Sequence, residues 1–174
     1  DTLSNSKSLQ PLIDKNIITR FKKEEYRYRI VKSFNYEDKI ILSSIQEKAY
    51  NNIISSPKLI NLLYGITGSG KTEIYIKLIE HYINEGKSCL ILVPEIGLTP
   101  LMISRIISYF SEDLVGILHS SLTNNERYDE YRKIKNGKTR IVVGTRSAIF
   151  APLKNLGLII IDEEHDESYK QEND

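Results

Sequence analysis

Residues Gly65-Ile66-Thr67-Gly68-Ser69-Gly70-Lys71-Thr72 match the GxxxxGK[ST] phosphate-binding loop at every specified position, and that loop works only between a strand and the helix it opens. The flanking sequence has the required character. Leu59-Ile60-Asn61-Leu62-Leu63-Tyr64 is an apolar run of strand length, and Tyr75, Leu78, Ile79, Tyr82 and Ile83 recur at helical steps before Gly86, a C′ stop. Strand, loop and helix are therefore predicted in that order. Backbone N–H groups around the glycines can wrap a polyphosphate, Lys71 can reach the β- and γ-phosphates, and Thr72 can offer its hydroxyl to Mg²⁺. Gly65, Thr67, Gly68, Ser69, Gly70, Lys71 and Thr72 form the candidate nucleotide cradle.

The alternation continues downstream. Ser88–Val93 is a second apolar run, and Thr99-Pro100 then starts a helix with Met102, Ile103, Ile106, Ile107 and Phe110 on its buried face. Leu114–Leu118, Arg140–Val143 and Leu156–Ile161 supply three more strand-like runs. Between the first two of these, Thr123 and Glu126 make a capping box that opens a polar helix closed by Gly137. Five such runs predict an α/β fold, a parallel sheet with helices on both faces and ligands at the carboxyl ends of its strands. Upstream, Ser43 and Gln46 form another capping box before a helix carrying Ile45, Ala49, Ile53 and Ile54.

Leu158–Ile161 delivers Asp162-Glu163-Glu164-His165 to the same predicted edge. Asp162 can hold Mg²⁺ through a coordinated water, and Glu163 can orient or deprotonate the water that attacks a γ-phosphate. Together with the loop, the pair implies ATP hydrolysis rather than nucleotide storage. Of the other histidines, His81 is expected on a solvated helix face. His119 ends a strand beside Ser120 and Ser121, with no acid at a spacing that would make a nucleophilic triad.

Composition excludes some classes. A chain with 40% hydrophobic and 27% charged residues, and no apolar run near eighteen residues, has no membrane span to offer. Cys89 is the only cysteine, so neither a disulfide framework nor a cysteine-based zinc site is expected, and a reducing, cytoplasmic setting fits. Met102 is the only methionine, so an internal piece of a longer protein is expected. Residues 1–35 carry eight basic side chains (Lys7, Lys15, Arg20, Lys22, Lys23, Arg27, Arg29, Lys32) against four acidic ones (Asp1, Asp14, Glu24, Glu25), a net +4. Such a segment is either a nucleic-acid patch or a solvated surface. Leu9, Leu12 and Ile13 at helical spacing, followed by Ile17-Ile18-Thr19, fit the end of a winged helix or an ordinary helix and hairpin.

A GxGKT loop with a DExH box resembles a superfamily 2 helicase. Leu92-Val93-Pro94-Glu95-Ile96-Gly97-Leu98-Thr99-Pro100, Gly144-Thr145-Arg146-Ser147-Ala148-Ile149-Phe150 with Pro152, and Ile161–Asp166 with Ser168-Tyr169-Lys170-Gln171 narrow the resemblance to the PriA-type primosomal helicases, over roughly residues 41–174. The resemblance implies ATP- and Mg²⁺-driven 3′→5′ unwinding of forked or single-stranded DNA at stalled replication forks, and primosome assembly for replication restart. It implies replication-restart proteins and single-stranded DNA-binding protein as partners. By residue, it implies that Gln46 reads the adenine edge, Asp162 and Glu163 serve metal and water, and His165 couples hydrolysis to DNA. Pro94, Glu95, Thr145 and Arg146 would line the single-strand path, with Tyr169 and Lys170 starting an aromatic-rich loop. Arg146 could equally be a surface ion pair, Glu95 a tie between loops and Tyr169 a loop anchor. Residues 1–35 would end a winged-helix domain. Residues 36–174 would be the N-terminal part of the first RecA-like lobe, stopping before its Ser-Ala-Thr motif, with zinc only in an absent C-terminal region. Without a second lobe's arginine fingers, the chain alone is expected to hydrolyse negligibly. Two other readings remain: a restriction motor or RNA helicase of the same superfamily, and a degenerate DNA-binding module.

Overall fold

The computed structural model describes residues 10–15, 17, 19, 40–66 and 68–170. Apart from a short helix α1 (Gln10–Asp14), the expected winged-helix segment lies outside the described residues, as does Thr67. The helices begin where the sequence caps them. Helix α2 (Ser44–Ile54) starts on a reciprocal box in which Ser43 N–H donates to Gln46 Oε1 at 2.8 Å and Gln46 N–H to Ser43 Oγ at 3.4 Å. Helix α3 (Lys71–Asn84) opens directly from the phosphate loop. Thr99 and Pro100 start α4 (Pro100–Phe110), and Thr123 with Glu126 starts α5 (Asn124–Lys135).

Four strands, β1 (Ser88–Leu92), β2 (Val115–Leu118), β3 (Ile141–Gly144) and β4 (Leu156–Ile161), form one parallel sheet in the order β2-β3-β1-β4. Alternation along β1 sends Cys89, Ile91 and Val93 toward Tyr75 and Ile79 of α3 and Ile106 and Ile107 of α4. Leu90 and Leu92 meet Leu122, Ala148 and Ile134 of α5 on the opposite face. Full burial of each such aliphatic side chain contributes about 1.5–3 kcal/mol, so both faces hold the sheet flat against its helices. Beside β2, the buried Glu130 carboxylate pairs with Lys133; burial pushes its carboxyl up from the usual range.

The register determines where chemistry can gather. Leu92 pairs with both Gly144 and Ile161, and Leu118 with Gly144, so all four strands end level. Because β1 runs between β3 and β4, with the chain leaving it toward β2 first, the strand order reverses beside β1, the position where α/β sheets open a crevice.

One expectation needs correction. Leu59–Tyr64, predicted as a fifth strand, has no regular secondary structure and belongs to no ladder among the described residues; Leu59, Leu62 and Tyr64 are 98%, 78% and 90% exposed. A strand is defined by its neighbour's hydrogen bonds, and apolar composition cannot supply one. Among the described residues no strand pairs with the outer edge of β4 either, and Ile159 and Ile161 are half exposed although their counterparts in β1 and β3 are buried.

Candidate nucleotide site

Gly70 is the N-cap of α3 at φ 81°, a left-handed backbone that a side chain resists. An added Cβ would also sit 2.2 Å from Gln46 Nε2, the movable end of a side chain, so the backbone conformation rather than space is what calls for glycine. The loop thus delivers Lys71 and Thr72 at the positive end of α3, where backbone N–H groups favour anions. Lys71 Nζ donates to Gly65 O at 2.8 Å and lies 3.5 Å from Glu163 Oε1. Ile66, Gly68, Gly70, Lys71, Thr72, Glu73, Arg105, Asp162 and Glu163 line one cleft of about 260 Å³.

The acidic side of the cleft is held from several directions. Asp162 N–H continues the ladder by donating to Leu92 O at 2.9 Å. Tyr75 donates its hydroxyl to Asp162 Oδ1, and Tyr169 donates its own to the Asp162 backbone carbonyl, both at 2.9 Å. Burial, and then the negative charge of Asp162, push both phenols well above their ordinary range, so each remains a donor. Glu163 has the left-handed backbone (φ 48°) that turns the chain away from β4. His165, 75% exposed at its side chain, lies 3.6 Å from Glu163 Oε2.

The other expected residues lie around this cleft. Gln46 touches the loop from behind: besides capping α2 it donates Nε2–H to Gly70 O at 3.3 Å. Ser69 closes the loop through its N–H to Ile66 O at 3.1 Å. Pro94 is buried and Thr145 is 6% exposed, so these two side chains shape the strand ends. Arg146 and Lys170 are exposed, and Arg146 Nη1–H donates to Lys170 O at 2.6 Å. Tyr169 packs half-buried against the Leu90 face of the sheet. His81 is only partly solvated, paired with Glu85 at 3.3 Å and edge-on to Tyr82. His119 is half-buried, which depresses its basicity.

Sequence reasoning missed Tyr75, Glu73 and Arg105. Its periodicity makes Tyr75 part of the apolar face of α3, yet it stands three residues after Thr72 on the same side of the helix, and that spacing is the signal that reveals it. The Glu73–Arg105 ion pair joins α3 to α4 across the cleft wall, and no spacing rule finds a contact between separate helices.

The donor set fits a nucleotide triphosphate with Mg²⁺. The loop amides and Lys71 suit phosphate oxygens, and Thr72 and Asp162 suit a hard cation that keeps most of its own waters. Among the described residues no group of three or more His, Cys, Asp and Glu forms a metal centre, so such an ion would depend on the phosphates for its remaining ligands. Among the described residues, too, no helix is long and apolar enough to cross a membrane.

The family model described as DEAD/DEAH box helicase matches residues 43–174. The chain is 45% identical, over 98% of its length, to the replication restart protein PriA of Bacillus subtilis, of which it covers 22%. It is 41% identical over 96% of its length to the PriA of Synechocystis, covering 20% of that protein, and 45% identical over 80% to the PriA of Haemophilus influenzae, covering 19%. The chain therefore spans about a fifth of these relatives.

Proposed function

Since the chain belongs to the DEAD/DEAH box helicase family, we propose that it forms the nucleotide-binding part of a PriA-type DNA-unwinding motor that acts at stalled replication forks. The convergence of Lys71, Thr72, Asp162 and Glu163 on one cleft at the carboxyl edge of the sheet carries this reading. The similarity to replication restart proteins supports DNA, rather than a small molecule, as what the motor works on.

The residues divide the work. Loop amides bind the β- and γ-phosphates, and Lys71 exchanges its bond to the Gly65 carbonyl for a phosphate oxygen. Thr72 and Asp162 hold the ion, which when bound neutralises charge developing on the phosphates. Glu163 orients the attacking water and accepts its proton. His165, beside Glu163, passes the state of the site to DNA. Arg146 and Lys170, both exposed, contact the phosphate backbone without reading sequence. Gln46, already tied to the loop, uses its remaining amide hydrogen on the adenine edge.

In the same proposal, residues 36–174 are the N-terminal part of a RecA-like lobe and residues 1–35 end a winged-helix domain. The bare edge of β4 and the unpaired Leu59–Tyr64 segment support a further strand between them. The whole protein then unwinds 3′→5′, works with single-stranded DNA-binding protein and restart proteins in the cytoplasm, and holds zinc in a region outside this chain. The chain by itself turns over ATP negligibly.

The test is Lys71→Ala in the full-length protein, with strand displacement measured on forked DNA and on RNA duplex. Loss of both DNA unwinding and DNA-stimulated hydrolysis is the expected result. Preferential opening of RNA by the unaltered protein would favour another translocase, and restart function that survives without hydrolysis would make the chain a DNA-binding module.

A further inference from the structure

The hydroxyl of Tyr75 is spent on a single acceptor. Its ring is 8% exposed and packed among Ile79, Val93 and Ile107, a position that a phenylalanine would fill equally well. The hydroxyl instead reaches across to β4, 87 residues away in sequence, and donates to Oδ1 of Asp162. Asp162 lines the cleft alongside Thr72, which stands one turn before Tyr75 on α3.

We propose that Tyr75 is the positioning residue of the Mg²⁺ site, a role that rests on the nucleotide reading above. A carboxylate at the end of a strand is free to rotate about its side-chain torsions. The bond from Tyr75 fixes that rotation and takes one oxygen, so the other oxygen faces the ion's water shell. Because Thr72 and Tyr75 ride on the same rigid helix, a single element sets both the hydroxyl and the acid that approach the cation. Tyr169 holds only the backbone of Asp162, so among the described residues the side-chain orientation depends on Tyr75. Hydrogen-bond partners of metal-holding carboxylates typically govern about 10–100-fold in metal affinity.

The experiment uses the full-length protein and a fluorescent ATP analogue, with binding followed as Mg²⁺ is titrated. Tyr75→Phe keeps the ring and removes the donor. The Mg²⁺ concentration for half-maximal enhancement of binding is expected to rise by about 10–100-fold, while affinity in EDTA, which depends on the loop and Lys71, stays as it was. An unchanged Mg²⁺ midpoint overturns the proposal. As a check independent of folding losses, Tyr75→Phe in an Asp162→Ala background, which has no acceptor left for the hydroxyl, is expected to add no further shift, because its effect passes through the carboxylate; a full additional shift also overturns it. If the unaltered protein shows no Mg²⁺ enhancement at all, the nucleotide reading falls and this proposal falls with it.

Discussion

Gly144 ends β3 and leads into Thr145 and Arg146, and its lack of a side chain is a matter of space. A Cβ there would lie 2.3 Å from Leu118 O and 2.6 Å from Ala148 Cβ. The first clash is with backbone, and Leu118 O already accepts the Thr145 N–H at 3.1 Å, so relief requires β2 and β3 to separate where they are in register. Overpacking of this kind costs about 1–3 kcal/mol, and loss of the Thr145 bond adds about 0.5–1.5 kcal/mol. Gly144→Ala is therefore expected to destabilise by about 3 kcal/mol, a large share of the roughly 5–15 kcal/mol that holds a domain. The chain has no tryptophan, so urea unfolding is best followed by far-UV circular dichroism. With a slope of about 2 kcal/mol per molar, the midpoint should fall by about 1.5 M. Adding Ala148→Gly removes the Cβ contact but leaves the carbonyl, and should not restore the midpoint. A shift under about 0.5 M, or rescue by Ala148→Gly, would refute the argument that the Leu118 carbonyl decides the residue.

Glu163→Gln keeps the shape of the acid and removes its basicity, so nucleotide binding should persist while single-turnover phosphate release slows by about 10²–10⁴-fold; a rate within tenfold of the unaltered protein would remove Glu163 from the water's path. Arg146→Ala should weaken DNA binding evenly across sequences and lower the slope of log affinity against log salt by about 1, measured by fluorescence anisotropy at several salt concentrations. Cys89 is fully buried in β1, and burial pushes its thiol up to about 12, so maleimide at pH 8 should label the chain only after unfolding. The same shift has a sign in stability. The unfolded thiol ionises near its ordinary value of 9.0 while the folded one keeps its proton, so this contribution is complete below pH 9 and is lost as pH rises toward 12. Replacing Cys89 by Ala should flatten that part of a pH–stability profile.

What could be read from sequence was local. Ser43 with Gln46, Thr99 with Pro100 and Thr123 with Glu126 named their helix starts because a cap is made within four residues. Ser88–Leu92 and Ile141–Gly144 were legible because strands covered on both faces are apolar throughout. The cleft was legible because the loop and the acidic turn each carry their own motif and strand register brings them to one edge. Leu59–Tyr64 was misread as a paired strand because pairing depends on a distant neighbour. The bonds from Tyr75 to Asp162 and from Tyr169 to the same residue, and the pair Glu73–Arg105, were invisible for a related reason: each depends on how two separate elements meet.

The left-handed backbone at Glu163 has an evolutionary consequence. A side chain other than that of glycine or asparagine is disfavoured there by about 1–2 kcal/mol, so this position carries an acid at the expense of the fold. On the proposed role of Glu163, a lineage that no longer needed hydrolysis would gain stability by drifting to glycine or asparagine at this site sooner than at its neighbours. The identity of residue 163 across descendants would then record which of them still work as engines.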